Sequence, residues 1–147
     1  MAGVPQSPLA KSVDTPIGVD ALLATARTDL DRLIPTEARA AVARGALLVD
    51  TRTETQRAEQ GELPDAIVID RTVLEWRLDP ASGVNIPEAH SYDVEIVVVC
   101  RQGYSSSLAA ASLRQLGLWR ATDLIGGVEA WVADGFPVTD GPADVRR

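Results

Sequence analysis

Short apolar runs recur along the chain, and each is followed by polar or charged residues. The clearest run is residues 95–100; similar runs cover residues 46–50 and 66–70, with a weaker one at 121–127. Runs of this length, rich in valine, isoleucine and leucine, are typical of strands buried on both faces of a parallel sheet. We therefore predict a strand at each of these positions.

Segments with helical character separate these runs. Asp20 and Thr36 can act as N-caps, and Gly45 and Gly117 fit the positions where helices stop. Because strands and helices alternate, the sequence predicts an α/β fold with a mainly parallel central sheet and helices on both faces. Helices are predicted over residues 20–33, 36–44, 53–61, 71–78, 106–117 and 128–135.

The chain of 147 residues is long enough for one domain with a sizeable core. Residues 1–18 contain three prolines and little periodicity, so we expect a flexible N-terminal tail. An N-terminal helix is expected at 19–34, the main domain at 35–140 and a C-terminal tail at 141–147. We expect the N-terminal helix to pack on the domain's own sheet, with a surface for a partner protein as the alternative.

Charge and cysteine content narrow the class of function. The net charge of −7 argues against nucleic-acid and anionic-membrane partners, because phosphates need a basic face. One cysteine allows no internal disulfide and no cysteine cluster for zinc, and the one histidine, His90, has no partner for a metal site. A single cysteine that cannot form an internal disulfide is typical of a reducing compartment, so the expected location is the cytoplasm. The sequence also shows no signal-peptide pattern and no apolar stretch of bilayer length.

The single cysteine, Cys100, falls at the carboxyl end of the clearest strand, and a helix begins a few residues later. Ligands of parallel α/β sheets bind at this edge. Gly103 allows a backbone twist in the loop, so that successive N–H groups can form an anion-binding nest beside the helix N-terminus. A thiol here is expected to have a lowered pKa and to react as a thiolate. The alternative is a structural cysteine, since free cysteines are often buried.

Four motifs, in this order, resemble the rhodanese family of sulfurtransferases over about residues 35–138. They are LLVDTR at 47–52, GELPDAIVID at 61–70, VVVCRQGYSSSLAAASLRQLG at 97–117 and LIGGVEAWVADGFPV at 124–138. Asp65 stands where the family usually has glycine, which affects a turn and not the chemistry.

The resemblance implies a single-domain sulfurtransferase with a rhodanese-like fold. A donor such as thiosulfate would give its outer sulfur to the Cys100 thiolate, and an acceptor such as cyanide or a thiol would remove that sulfur from the persulfide. Neither a metal nor an organic cofactor is needed. The partners are then a small anionic sulfur donor and a thiophilic acceptor, with a protein as a further candidate for either role.

The same resemblance assigns a loop that binds the substrate and the persulfide. Arg101 would help to hold the anionic donor, whereas Gln102 supplies no second charge. Tyr104 is expected to face the entrance of the site. The loop consists of Arg101, Gln102, Gly103, Tyr104 and Ser105.

Four further residues are expected to support this loop. Asp50 and Arg52 resemble a family pair that lies near it, with helix capping and surface charge as the alternative. Arg71 could make the mouth of the site positive. Ser106, together with Ser105 and Ser107, is expected to cap the following helix.

Two other functions stay open at this point. Related phosphatases and arsenate reductases close a longer loop with an arginine that clamps a tetrahedral anion, but Ser106 occupies the position six residues after Cys100. A persulfide carrier or a protein-docking module with the same fold is the second alternative. Turnover with small molecules separates an enzyme from such a carrier.

Overall fold

Three strands of four mainly apolar residues form the centre of the sheet in the computed structural model, which describes residues 15–147. These strands are β1 (Leu47–Asp50), β2 (Ala66–Ile69) and β3 (Ile96–Val99), and the latter two are buried along their whole length. Two strands of three residues, β4 (Ala121–Asp123) and β5 (Asp144–Arg146), form the sheet edges. All neighbours are parallel in the order β4–β3–β1–β2–β5, which confirms the predicted mainly parallel sheet.

Helices cover both faces of this sheet, as predicted. Because successive side chains of a strand point to opposite faces, Val98 packs with Leu113 on one side, while Val97 packs with Ala38 and Trp131 on the other. The helices are α1 (Gly18–Arg27), α2 (Pro35–Ala43), α3 (Glu54–Gln60), α4 (Leu74–Leu78, after a 3-10 turn at Arg71–Val73), α5 (Ser105–Leu116) and α6 (Gly127–Ala133).

The register of the central strands brings two loops to one edge. Asp50 at the end of β1 is paired with Val99 at the end of β3. The N–H of Thr51 donates to the carbonyl of Val99 at 2.9 Å, which holds the two strand ends together. Cys100 follows Val99, so it emerges at the carboxyl edge of the sheet, where the sequence placed it.

The N-terminal helix is shorter than predicted and packs on a different element. α1 ends at Arg27, and Leu33 does not continue it. The Leu33 N–H donates to the backbone carbonyl of Asp123 at 3.0 Å, and the Leu33 carbonyl accepts from the N–H of Ile125 at 2.8 Å. Ile17, and not Asp20, is the N-cap residue of α1. α1 lies against α5, so the expectation that it packs on the sheet is wrong. Residues 1–14 of the predicted tail lie outside the described residues.

The segment 141–147, expected as a tail, contains β5 and extends the sheet. Val145 is paired with Val68 of β2, and the Arg146 guanidinium is 2.6 Å from Glu88 and 2.7 Å from Asp144. This strand lacks an apolar run, and two of its three residues are exposed. Strand pairing and ion pairs hold it, so hydrophobic patterning could not reveal it.

Among residues 15–147, no helix is long and apolar enough to cross a bilayer. The same residues contain no group of three or more His, Cys, Asp or Glu side chains that could hold a metal ion. His90 is exposed in the loop between α4 and β3.

Candidate active site

Cys100 is the first residue of the tight loop that joins β3 to α5. Its sulfur accepts hydrogen bonds from the backbone N–H of Gly103 at 3.1 Å and of Ser106 at 3.4 Å. The residue is only 6% exposed. The first turn of a 12-residue helix therefore contributes directly to the surroundings of the sulfur.

These surroundings lower the pKa of the Cys100 thiol. Burial alone would raise it, but the hydroxyls of Ser106 and Ser105 and the N–H groups of Ser106 and Gly103 favour the thiolate and outweigh burial. The Ser106 hydroxyl also lies 2.8 Å from Asp123 Oδ2, and it has only one proton to donate. We therefore give the backbone N–H groups more weight, since the loop fixes their direction.

Two carbonyl groups of the loop are held by the N-terminal turn of α6. The N–H of Val128 donates to the Cys100 carbonyl at 3.0 Å, and the N–H of Glu129 donates to the Arg101 carbonyl at 3.1 Å. A trans peptide points its N–H opposite to its C=O, so the N–H groups of Arg101 and Gln102 face away from α6. Neither N–H has an acceptor among residues 15–147. Successive free N–H groups of this kind are suited to an anion.

Three glycines allow the loop and the α6 turn to approach each other. Gly103 has a φ of +85°, and a Cβ on it would lie 2.6 Å from the nitrogen of Gly126. A Cβ on Gly127 would lie 2.4 Å from the Cys100 carbonyl oxygen. The Gly126-Gly127 turn is therefore in direct contact with the candidate site.

Asp123, at the end of β4, is a buried carboxylate beside the loop that sequence reasoning missed. Its side chain accepts from the hydroxyls of Ser106 and Ser107, each at 2.8 Å, and pairs with Arg32 at 2.8 Å. The end of a parallel strand at this edge was the one available signal. No local pattern marks Arg32, or Arg27, which donates to Ser107 at 3.0 Å.

The prediction that Ser105, Ser106 and Ser107 cap α5 is wrong. Tyr104 occupies the N-cap position, and its side chain makes no capping hydrogen bond. The helix begins at Ser105, so all three serines fall inside its first turn. A capping hydroxyl accepts from the free N–H groups that follow the N-cap position, and Ser106 lies past that position. Its hydroxyl instead donates to the buried Asp123 carboxylate.

The predicted pair of Asp50 and Arg52 is present and completely buried. The guanidinium lies 2.8 Å from Asp50 Oδ2, and it also donates to the carbonyl of Gly61 at 2.9 Å. Within the described residues, neither side chain is hydrogen-bonded to the loop after Cys100. A role in supporting that loop stays a prediction.

Arg101 and Tyr104 are exposed on the loop, whereas Arg71 is paired within its own segment. The Arg101 side chain is half exposed and lies 3.4 Å from Glu129, so it does not contact the sulfur. Tyr104 is 60% exposed. Arg71 is bound to Glu75 at 2.8 Å, across one turn of its own segment.

A cavity of about 700 Å³ lies beside β2 and β5, away from Cys100. Arg52, Arg57, Asp70 and Arg146 are among its lining residues, so it presents both signs of charge. None of residues 100–106 lines it. The cavity is therefore separate from the Cys100 loop.

Comparison of the sequence with known proteins finds a family model and several sulfurtransferases that match this chain. The family model described as Rhodanese-like domain matches residues 34–134. The chain is 34% identical over 104 residues to Thiosulfate sulfurtransferase GlpE of Pseudomonas syringae pv. syringae, covering 71% of this chain and 89% of that protein. It is 34% identical over 82 residues to Adenylyltransferase and sulfurtransferase MOCS3 of Arabidopsis thaliana, covering 51% of this chain and 18% of that protein.

A solved structure from Rhodopseudomonas palustris, described as a protein of unknown function and possible tyrosine phosphatase, also matches. It is 28% identical with a TM-score of 0.75, and the match covers 92% of this chain and 99% of that chain. The family model spans more than half of the sequence and includes Cys100 with its whole loop. The chain is therefore a homologue of known sulfurtransferases and belongs to the rhodanese-like domain family.

Proposed function

We propose that the protein is a thiosulfate-type sulfurtransferase in which Cys100 is the nucleophile. The Cys100 thiolate attacks the outer sulfur of thiosulfate, the sulfur–sulfur bond of the donor breaks, and sulfite leaves with the electron pair. Cyanide or a thiolate then attacks the outer sulfur of the persulfide. Thiocyanate or a new persulfide leaves, and the Cys100 thiolate is restored.

The observation that carries this proposal is the hydrogen bonding of the Cys100 sulfur. Two backbone N–H groups donate to it, and the thiol pKa is lowered although the residue is buried. A structural cysteine in an apolar core would have a raised pKa and no such donors. The free N–H groups of Arg101 and Gln102 can stabilise the negative outer sulfur of a persulfide.

Arg101 is the proposed donor-binding side chain. Its ion pair with Glu129 is half exposed, and such pairs contribute little, so an anionic donor can compete for the guanidinium. Gln102 is exposed and neutral, and it adds no second charge at the entrance. Tyr104 is exposed, which supports its proposed role in contacting the acceptor.

A persulfide carrier that exchanges sulfur with a protein partner is the second candidate. The similarity to MOCS3 favours it, because the matched region is one part of a longer protein that is named both adenylyltransferase and sulfurtransferase. Carrier and enzyme need the same reactive thiolate. The cytoplasmic location expected from the sequence suits either function and stays a prediction.

Phosphatase activity is disfavoured by the loop, despite the description of the Rhodopseudomonas palustris protein. The position six residues after Cys100 holds Ser106, whose hydroxyl is bonded to Asp123. A phosphate ester needs a guanidinium that clamps its oxygens from within the loop. Arg101 is adjacent to the nucleophile and its side chain is half exposed, so it is poorly positioned to clamp a phosphate from within the loop.

Steady-state kinetics test the proposal and separate it from both alternatives. With thiosulfate and cyanide, the enzyme is expected to release thiocyanate with parallel double-reciprocal lines, and Cys100→Ser is expected to show no turnover. Hydrolysis of p-nitrophenyl phosphate, a general phosphatase substrate, is expected to be absent. Phosphate release that depends on Cys100, or no thiocyanate from a folded wild-type protein, would contradict the proposed enzyme.

A further inference from the structure

The peptide between Gly103 and Tyr104 is held differently from its neighbours in the loop. The carbonyls of Cys100 and Arg101 are bound by backbone N–H groups of α6, but the Gly103 carbonyl is bound by two side chains. Arg27 Nη2 donates to it at 2.8 Å, and Arg32 Nη2 donates to it at 3.0 Å. Both arginines come from the segment that precedes the residues matched by the family model.

Buried partners hold these two guanidinium groups in place. Arg32 binds Asp123 with two nitrogens, at 2.8 and 3.2 Å, and Asp123 is completely buried. Arg27 donates to the Ser107 hydroxyl at 3.0 Å, and Ser107 donates to Asp123 at 2.8 Å. The two side chains therefore belong to one network that reaches from α1 to the end of β4.

We propose that Arg27 and Arg32 are positioning residues that turn the Gly103–Tyr104 peptide, so that the Tyr104 N–H faces the anion bound over Cys100. Holding the carbonyl towards the guanidinium groups directs the N–H of the same trans peptide the opposite way. Among residues 15–147, this N–H has no acceptor. The identity of the anion, a sulfur donor or a persulfide, rests on the proposed function, whereas the orientation of the peptide does not.

The two arginines, Arg27 and Arg32, together form what we call the clamp on the Gly103 carbonyl. The conformational freedom of Gly103 is the reason that the following peptide needs this clamp. A glycine adopts positive and negative φ with similar ease, so the peptide that follows it can rotate at low cost. Gly103 has a φ of +85°. If the peptide rotated, its oxygen would face the anion and repel it. The arginines select the orientation that presents a donor.

The clamp can be tested by NMR titration of the loop amides with sulfate, an unreactive tetrahedral dianion. In the wild type, sulfate is expected to shift the amide signals of Arg101, Gln102 and Tyr104. Arg27→Met removes one of the two donors to Gly103 and leaves no buried charge unpaired, because the partners of Arg27 are neutral. In Arg27→Met the shift at Tyr104 is expected to shrink, while the other two shifts persist.

A double variant and a remote control complete the test. Arg27→Met combined with Arg32→Lys keeps a cation beside Asp123 but removes the second guanidinium, and the Tyr104 shift is expected to be lost. Arg44→Met removes an arginine–carboxylate pair on the surface and is expected to leave all three shifts unchanged. If the double variant does not fold, the Tyr104 shift in Arg27→Met alone tests the proposal.

Three results would overturn the clamp. They are no shift at Tyr104 in the wild type, an undiminished Tyr104 shift in folded Arg27→Met, and an equal decrease at all three amides, which would indicate a loss of charge alone. Because sulfate transfers no sulfur, these results are independent of whether thiosulfate is the donor. Failure of persulfide formation with an intact Tyr104 effect would reject the proposed function and retain the clamp.

Discussion

Two loops leave the same edge of the sheet, one after β1 and one after β3, and they differ in how completely their polar groups are paired. After β1, Asp50 and Arg52 bind each other, and Arg52 also binds the Gly61 carbonyl. After β3, the backbone N–H groups of Arg101 and Gln102 have no acceptor among the described residues. A loop whose donors are all used stabilises the fold, and a loop with donors left free can bind an anion.

Arg52→Met would show the stabilising character of the first loop and should give the largest effect. The buried Asp50 carboxylate would lose its counterion, which costs about 3–5 kcal/mol of the free energy of unfolding. Urea unfolding measures this loss. Arg44→Met is the control with little expected change, because the Arg44 side chain is 54% exposed and Glu95 keeps Arg120 as a partner. Equal stability of the two variants would refute the difference between buried and exposed pairs.

Gly127→Ala would test how closely the second loop depends on the α6 turn. The new Cβ would lie 2.4 Å from the Cys100 carbonyl oxygen, so the loop must shift. A displacement of about 1 Å at a reacting group lowers the rate on the order of 100-fold. Thiocyanate release measures this rate.

Gly135→Ala is the control for that substitution. Gly135 also has a positive φ, of +81°, but no atom lies within 4 Å of the Cβ position. It carries the same backbone strain without the contact and should retain activity. Equal activity of Gly127→Ala and Gly135→Ala would show that activity does not depend on the contact between the loop and the α6 turn.

Arg101→Met would separate binding from stability in the second loop. Because the Arg101 side chain is half exposed, the melting temperature should stay unchanged. Loss of a charged donor to thiosulfate should raise KM for thiosulfate about tenfold. An unchanged KM would exclude Arg101 from donor binding.

Ser105→Ala should give the smallest change, through the thiol pKa. Burial raises this pKa, the hydroxyls and backbone N–H groups lower it, and the result is below that of an ordinary cysteine. Removing the Ser105 hydroxyl should raise the pKa, so that alkylation by iodoacetamide slows near neutral pH. The rates of variant and wild type should converge at high pH, where both thiols are ionised, and a constant difference at every pH would contradict this origin.

The sequence predicted the β3–Cys100–α5 unit because its signals are local. An apolar run, a glycine in the loop and a helical repeat all lie within residues 95–117. The fifth strand could not be predicted, since pairing and the ion pairs of Arg146 create it. Local patterning predicts elements, and it fails where an element depends on distant partners.

The same reason explains which site residues were missed. Arg27 and Arg32 reach the loop only because α1 packs on α5 and Leu33 joins the end of β4. Their contacts with Gly103 join residues more than 70 positions apart. The surroundings of Arg101 were also beyond the sequence, which could not show that its side chain turns towards Glu129.

Mass spectrometry of the intact protein after incubation with thiosulfate is the most direct measurement of sulfur transfer at Cys100. The wild type should gain the mass of one sulfur atom, lose it on addition of cyanide, and release thiocyanate, while Cys100→Ser should gain nothing. A folded wild-type protein that stays at its original mass would contradict transfer from thiosulfate. An equal gain in Cys100→Ser would contradict the role of Cys100 itself.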